Sequence, residues 1–219
     1  MKVCMVIPTY NESKEIGDIV KRLRKQNLEV VVIDDGSADD TSLIASRSGA
    51  TVIRNQINEG KGSSLIKGFD YAIKNNFDAV ITMDGDGQHI PEETSNFIEA
   101  AQNSPAALFI GDRMRESKGM PVIRWLTNKF MSWLISKAIG QYIPDTQCGF
   151  RLIKMGALKK IQLKTTKYET ESEIIIKTSK AGYQIKSIPI KTVYRYERSQ
   201  INPLIDTIRF IKFIVKEIF

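Results

Sequence analysis

The chain has 219 residues, 42% hydrophobic and 26% charged, the make-up of one globular domain with a proper core rather than a disordered segment. Thirty-two Lys and Arg against 25 Asp and Glu leave a net charge of +7, which suits a solvated basic surface or an anionic partner: a nucleotide, a lipid phosphate or a membrane surface. Two cysteines, Cys4 and Cys148, make no disulfide framework and favour a reducing, cytosolic setting; no run of about 18 uncharged apolar residues offers a bilayer span.

The opening MKVCMVIPTYNES is not a signal peptide, because its apolar run is short and ends in Pro-Thr-Tyr-Asn-Glu. KVCMVIPTY predicts a first strand, and the stretch from Lys14 to about Gln26 a helix. EVVVIDDGS predicts a second strand before the helical DDTSLIASRSG, with Asp39 or Asp40 as its cap. ATVIRN is a third strand, leading to a helix over GKGSSLIKGFDYAIKNN. DAVITMDGDG is a fourth, running into PEETSNFIEAAQN, where Pro91 suits a first helical position; AALFIGDR is a fifth. Apolar strands separated by helices of about a dozen residues predict an α/β fold with a mostly parallel sheet covered on both faces.

The second half is less regular. A helix is expected from Pro121 to Ile139, then a loop over PDTQCGFRL, a helix around ETESEIIIKTSKAG, a strand-like YQIKSIPIKTVY, the loop RYERSQIN and a terminal helix from Pro203. With no linker and no internal repeat, residues 1–202 are read as one catalytic domain. Residues 203–219 form an amphipathic helix, interrupted by Arg209, Lys212 and Lys216, that either lies in a membrane interface or packs on the core.

In such sheets ligands bind at the carboxyl ends of the strands. Four expected strand ends carry polar clusters: Thr9–Glu12, Asp34 and Asp35, Asp84 and Asp86, and Asp112 with Arg113. The D-x-D pair Asp84 and Asp86 offers hard oxygen ligands to a divalent cation, with Gln88 as a further neutral oxygen, while Gly85 and Gly87 permit close backbone approach. No G-x-G-x-x-G follows the first strand, and NEGKGSS lacks Walker spacing, so dinucleotide and NTPase sites are disfavoured.

IPTYNES, VVIDDGSADDT, NEGKGSSLIKG, MDGDGQH and DTQCGFRL stand in the order found in family 2 glycosyltransferases, and the chain resembles the dolichyl-phosphate or polyprenyl-phosphate mannose and glucose synthases among them. The resemblance covers nearly the whole chain. It implies a GT-A fold, an inverting mechanism and Mg2+ or Mn2+ as cofactor. It places Pro8, Tyr10, Glu12, Ile33, Asp35, Lys61, Asp84, Gly85, Asp86 and Arg198 at a nucleotide-sugar donor such as UDP-glucose or GDP-mannose. It gives the metal to Asp86 and Gln88, and a lipid phosphate to Arg113 and Arg124, with Asn128 and Ser132 following at four-residue intervals on the same helix side. Asn128 stands where the better-known subgroup has serine.

Asp86, Arg113, Arg124 and Asp145 are the candidate catalytic residues. A phosphate acceptor, with its second pKa near about 6, needs no enzymic base. A hydroxyl acceptor would, and Asp145 is the candidate. Glu171 and Glu173 suit the first turn of a helix, and His89 a supporting place beside the metal motif. The expected partners are the donor, a polyprenyl phosphate and a membrane surface, with no nucleic acid. The expected location is cytoplasmic, peripheral on the cytoplasmic face of the membrane. A non-catalytic sugar-nucleotide-binding module is the remaining alternative.

Overall fold

The computed structural model describes residues 1–116, 119–193 and 213. The uninterrupted apolar runs become strands because both of their faces are buried: β1 (Val3–Thr9) and β4 (Ala79–Thr82) are buried at every position, and β2 (Glu29–Asp34) at all but Glu29. With β3 (Thr51–Arg54), β5 (Leu108–Asp112), β6 (Arg151–Lys154) and β7 (Ile185–Pro189) they form one seven-stranded sheet in the order β3-β2-β1-β4-β6-β5-β7. All pairings are parallel except those of β6, which runs antiparallel to both β4 and β5.

The helices are α1 (Ile16–Lys25), α2 (Thr41–Arg47), α3 (Lys61–Lys74), α4 (Thr94–Gln102), α5 (Val122–Ile139), the short α6 (Met155–Leu158) and α7 (Glu169–Lys180). Helix α1 buries Ile16, Ile19, Val20 and Leu23, the i, i+3, i+4, i+7 set of one face. Asp40 occupies the N-cap position of α2 without a side-chain capping bond, and the preceding Asp39 does that work: its carboxylate accepts the Thr41 amide at 3.1 Å and the Thr41 hydroxyl at 2.5 Å. Pro91 opens a single 3-10 turn that leads into α4.

One segment departs from the sequence reading. PDTQCGFRL is not loop throughout, since Arg151 and Leu152 begin β6, where Arg151 pairs with Thr82 of β4 and Ile110 of β5. Four residues opening on an arginine carry no strand signal of their own; pairing on both sides makes them one. Because β6 is antiparallel, the residues leading into it arrive at the carboxyl ends of the parallel strands. DTQCGF is thereby delivered to the rim that the sequence marks as functional.

The C-terminal helix expected over 203–219 lies outside the described residues except Phe213, which is helical and packs in the core. Arg198 also lies outside them.

Two of the three glutamates of α7, Glu171 and Glu173, have separate tasks. Glu173 is fully buried and accepts the Lys164 amide at 2.9 Å, the Thr165 amide at 2.9 Å and the Thr165 hydroxyl at 2.6 Å, with Lys177 as its ion-pair partner at 2.5 Å. Burial alone would raise its carboxyl, but the hydrogen bonds from Lys177 and Thr165 win and hold it below 4.5. Glu173→Ala orphans these buried donors and should cost about 2–4 kcal/mol in urea unfolding at neutral pH. Because the folded-state pKa is depressed, that contribution is complete above about pH 4.5 and fades as pH falls below it, so the gap between wild type and variant should narrow in acid.

Candidate functional site

The site is built outward from the end of β2. Asp35, 4% exposed, accepts the Asn55 side-chain amide at 2.7 Å, the Glu59 amide at 2.9 Å and the Gly60 amide at 2.8 Å. These bonds fix the entry to α3. Gly60 sits at φ +102 and its missing side chain would meet the Thr166 carbonyl at 2.7 Å; at Gly62 a Cβ would fall 2.0 Å from Thr170 Oγ1. Only glycine lets the start of α3 press this closely on the start of α7. Lys61, the first residue of α3, is thereby set against Glu171.

Lys61 is the hub of the rim. Its ammonium lies 2.6 Å from Asp84 Oδ1 and 2.9 Å from Glu171 Oε1. Burial would lower its pKa, but the two carboxylates reverse that and raise it. For Asp84, burial pushes the carboxyl up, and the Lys61 charge, with a contribution from His89, takes it well below the ordinary carboxylate range. The backbone closes over it: a Cβ at Gly149 would lie 2.6 Å from Asp84 Oδ2. Thr82 Oγ1 donates to the Gly149 carbonyl at 2.7 Å and holds that strand lead-in down.

Asp84 and Asp86 do not continue β4 in strand alternation; they occupy a turn past its end, and Gly87 takes φ +72. Asp86 Oδ1 accepts the Gln88 amide at 3.0 Å, which draws Gln88 back over the aspartate. Asp86 makes no salt bridge among the described residues; burial, then the neighbouring Asp84 charge, pushes its carboxyl up. An ionised Asp84 beside a half-exposed Asp86, with an amide oxygen at Gln88, is an oxygen-only donor set with excess negative charge. It fits Mg2+ or Mn2+. Among the described residues no group of three or more His, Cys, Asp or Glu side chains is placed to hold a metal ion. His89 is buried under this turn, with Nε2 3.7 Å from Asp84 Oδ2 and its ring 5.3 Å from Phe150, which stacks on Phe97 at 4.4 Å.

The other residues that the sequence reading assigns to the donor lie along the same edge. Pro8 of β1 is paired in register with Ile33 of β2, both buried, and Tyr10 is half-buried just beyond. Glu12 reaches the turn that carries Asp86: its Cγ lies 3.6 Å from where a Cβ at Gly85 would stand, and Thr9 Cγ2 lies 2.7 Å from it. Gly85 is needed for this packing of chain on chain.

On the far side, Arg113 is buried and held bidentately by Asp145, Nε to Oδ2 at 2.6 Å and Nη2 to Oδ1 at 2.9 Å. Helix α5 packs against this pair: Ser132 Oγ accepts the Thr146 amide at 2.9 Å, and Asn128 is buried with an unpartnered side-chain nitrogen. Arg124, one turn earlier, is exposed.

Sequence reasoning missed Arg151. This fully buried guanidinium donates to the Cys148 carbonyl at 2.7 Å, the Thr146 carbonyl at 2.9 Å and the Glu171 carbonyl at 2.5 Å. It ties the Asp145 loop to the helix that carries Glu171. The available signal was a charged residue inside the otherwise apolar run FRLI.

Residues 4–162 match the family profile described as Glycosyl transferase family 2. The chain is 31% identical over 215 residues to the UDP-N-acetylglucosamine–dolichyl-phosphate N-acetylglucosaminyltransferase of Methanococcus voltae, covering 88% of this chain and 86% of that one. It is 30% identical over 210 residues to the undecaprenyl-phosphate mannosyltransferase of Micrococcus luteus, covering 89% and 85%. Its fold is similar, with TM-score 0.72 at 17% identity over 99% of this chain and 76% of the other, to glucosyl-3-phosphoglycerate synthase of Mycobacterium tuberculosis, solved with Mn2+, UDP and phosphoglyceric acid. The fold is GT-A, and the chain belongs to glycosyltransferase family 2.

Proposed function

We propose that the protein transfers a hexose, with inversion, from a nucleoside-diphosphate sugar to a polyprenyl phosphate. The observation that carries this reading is the division of charge along one rim. Carboxylates Asp84 and Asp86 stand at the end of β4, cationic Arg113 at the end of β5, and Arg151 links the loops behind them. The names of the two lipid-phosphate relatives support the acceptor class.

Pro8, Tyr10, Glu12, Ile33 and Asp35 line the edge for the base and ribose, with Lys61, Asp84 and Gly85 towards the diphosphate and sugar. Asp86 and Gln88 would hold Mg2+ or Mn2+, whose chemistry when bound is to neutralise the departing diphosphate as a Lewis acid. Lys61 keeps Asp84 ionised and fixes its carboxylate beside Glu171. Arg113 and Arg124, aided by Asn128 and Ser132, receive the acceptor phosphate, so two anions meet between groups of opposite charge. A dianionic acceptor supplies its own nucleophile. Asp145 is buried with both oxygens on Arg113, so it is a positioning residue for that arginine. That engagement weighs against a hydroxyl acceptor, which would need a free base here. The reading places the enzyme at the cytoplasmic face of a membrane, with residues 1–202 as its catalytic unit.

Incubation with labelled UDP-glucose, UDP-N-acetylglucosamine or GDP-mannose and a polyprenyl phosphate should move label into an organic-extractable phosphate ester with one of the three donors. Label appearing only in a hydroxyl-linked product, or donor binding with no transfer, would contradict the reading. Arg124→Ala should raise the acceptor KM by about ten- to a hundredfold, the loss of one charge-assisted contact, and leave the donor KM unchanged. An unchanged acceptor KM would remove α5 from the site.

A further inference from the structure

Helix α5 has two faces with opposite character. Asn128, Ser132 and Ile135 point inwards, and Ser132 is bonded to Thr146 beside the Asp145–Arg113 pair. The outer face carries Ile123 at 80% exposed, Leu126 at 55%, Phe130 at 57% and Trp133 at 56%. Their spacing of three, four and three residues makes one continuous row, roughly 15 Å long at 1.5 Å per residue. Single exposed apolar residues are ordinary, but a row of four large ones on one helix marks an interaction surface.

The charges of α5 say what it meets. Its sequence, VIRWLTNKFMSWLISKAI, contains three basic residues and no acidic one. Lys129 lies over the Trp125 ring at 4.2 Å and Lys137 over Trp133 at 5.3 Å, so both ammonium groups border the apolar row. Tryptophan, large aliphatic side chains and lysine together, without carboxylates, match the boundary between anionic headgroups and acyl chains. A second copy of the chain fits less well, because a two-fold contact through this face would set basic residues against basic residues.

We infer that α5 is an in-plane docking surface for an anionic lipid bilayer, with its outer row inserted and its inner row facing the acceptor phosphate site. The orientation rests on the proposed function: one helix sets the depth of the protein in the membrane and presents Arg124, Asn128 and Ser132 at the level of lipid headgroups. A polyprenyl phosphate then reaches Arg113 with its chain still in the bilayer. The helix lies on the membrane and does not cross it, since no helix among the described residues is long and apolar enough to span.

Vesicle binding reads this surface without any transfer assay. The full chain should co-sediment with phosphatidylcholine vesicles containing phosphatidylglycerol, less with phosphatidylcholine alone, and less as salt is raised. The triple variant Ile123→Ser, Phe130→Ser, Trp133→Ser should lose at least about tenfold in partitioning. Lys129→Gln with Lys137→Gln should lose roughly fivefold per charge. Both variants alter exposed side chains and should match wild type in thermal unfolding and nucleotide binding. Sedimentation of the triple variant equal to wild type, absence of binding by the wild type, or a solution dimer that the triple variant dissociates would overturn the inference. Vesicle binding without transfer to a lipid phosphate would leave the docking surface standing and sink the proposed acceptor instead.

Discussion

A lysine ammonium shared between two carboxylates governs this molecule's working edge. Lys61 sits 2.6 Å from Asp84 and 2.9 Å from Glu171, and the three groups come from the start of α3, the end of β4 and the start of α7. Carboxylates withdrawn from water are costly unless a cation is placed to meet them. That need explains the features around Lys61: the three hydrogen bonds that Asp35 accepts ahead of α3, the glycines at 60 and 62 that let two helix starts touch, and the bare backbone of Gly149 over Asp84. Burial, then the charge of ionised Asp84, pushes the Asp86 carboxyl up, and Asp86 accepts a backbone amide with no side-chain cation paired to it among the described residues. Asp86 is thus the carboxylate of the rim left for the divalent cation that the proposed donor diphosphate would bring.

Arginine does the corresponding work on the side proposed for the acceptor, in two different ways. Arg113 is oriented by Asp145, its planar fork matched to the carboxylate. Arg151 has three backbone carbonyls as its partners in two chain segments, and it ties the Asp145 loop to the head of α7. The proposed donor and acceptor halves are therefore joined through protein: Asp84 to Lys61 to Glu171 on one side, Thr146 to Ser132 on the other, with Arg151 between them. Reversal of a single strand makes this possible, since β6 brings its leading loop to the carboxyl rim of the parallel strands.

Much of this was legible in the residues because the signals are local. Continuous apolar runs such as VCMVI and EVVVI report burial on both faces, and the polar residues that end them report the rim. What the sequence concealed depends on distant pairing. Arg151 reads as an ordinary charge until β4 and β5 are placed on either side of it. Glu171 and Glu173 look equivalent in ETESE, yet two residues turn a helix far enough to send one to Lys61 and the other into the loop at 164 and 165. The row of Arg124, Asn128 and Ser132 at four-residue spacing was visible, but not that its last two members are buried while the opposite side of α5 is bare apolar surface.

The account stands on Asp86 as the point where the rim is completed by a cation carried with the donor. Calorimetric titration of UDP and GDP tests this most directly, with Mg2+ or Mn2+ present and then with chelator, on wild type and Asp86→Asn. One of the two nucleotides should bind wild-type protein at least about tenfold more tightly with the cation than without it, and the variant should lose that difference. Equal affinity with and without cation, or an unchanged cation effect in Asp86→Asn, would contradict it.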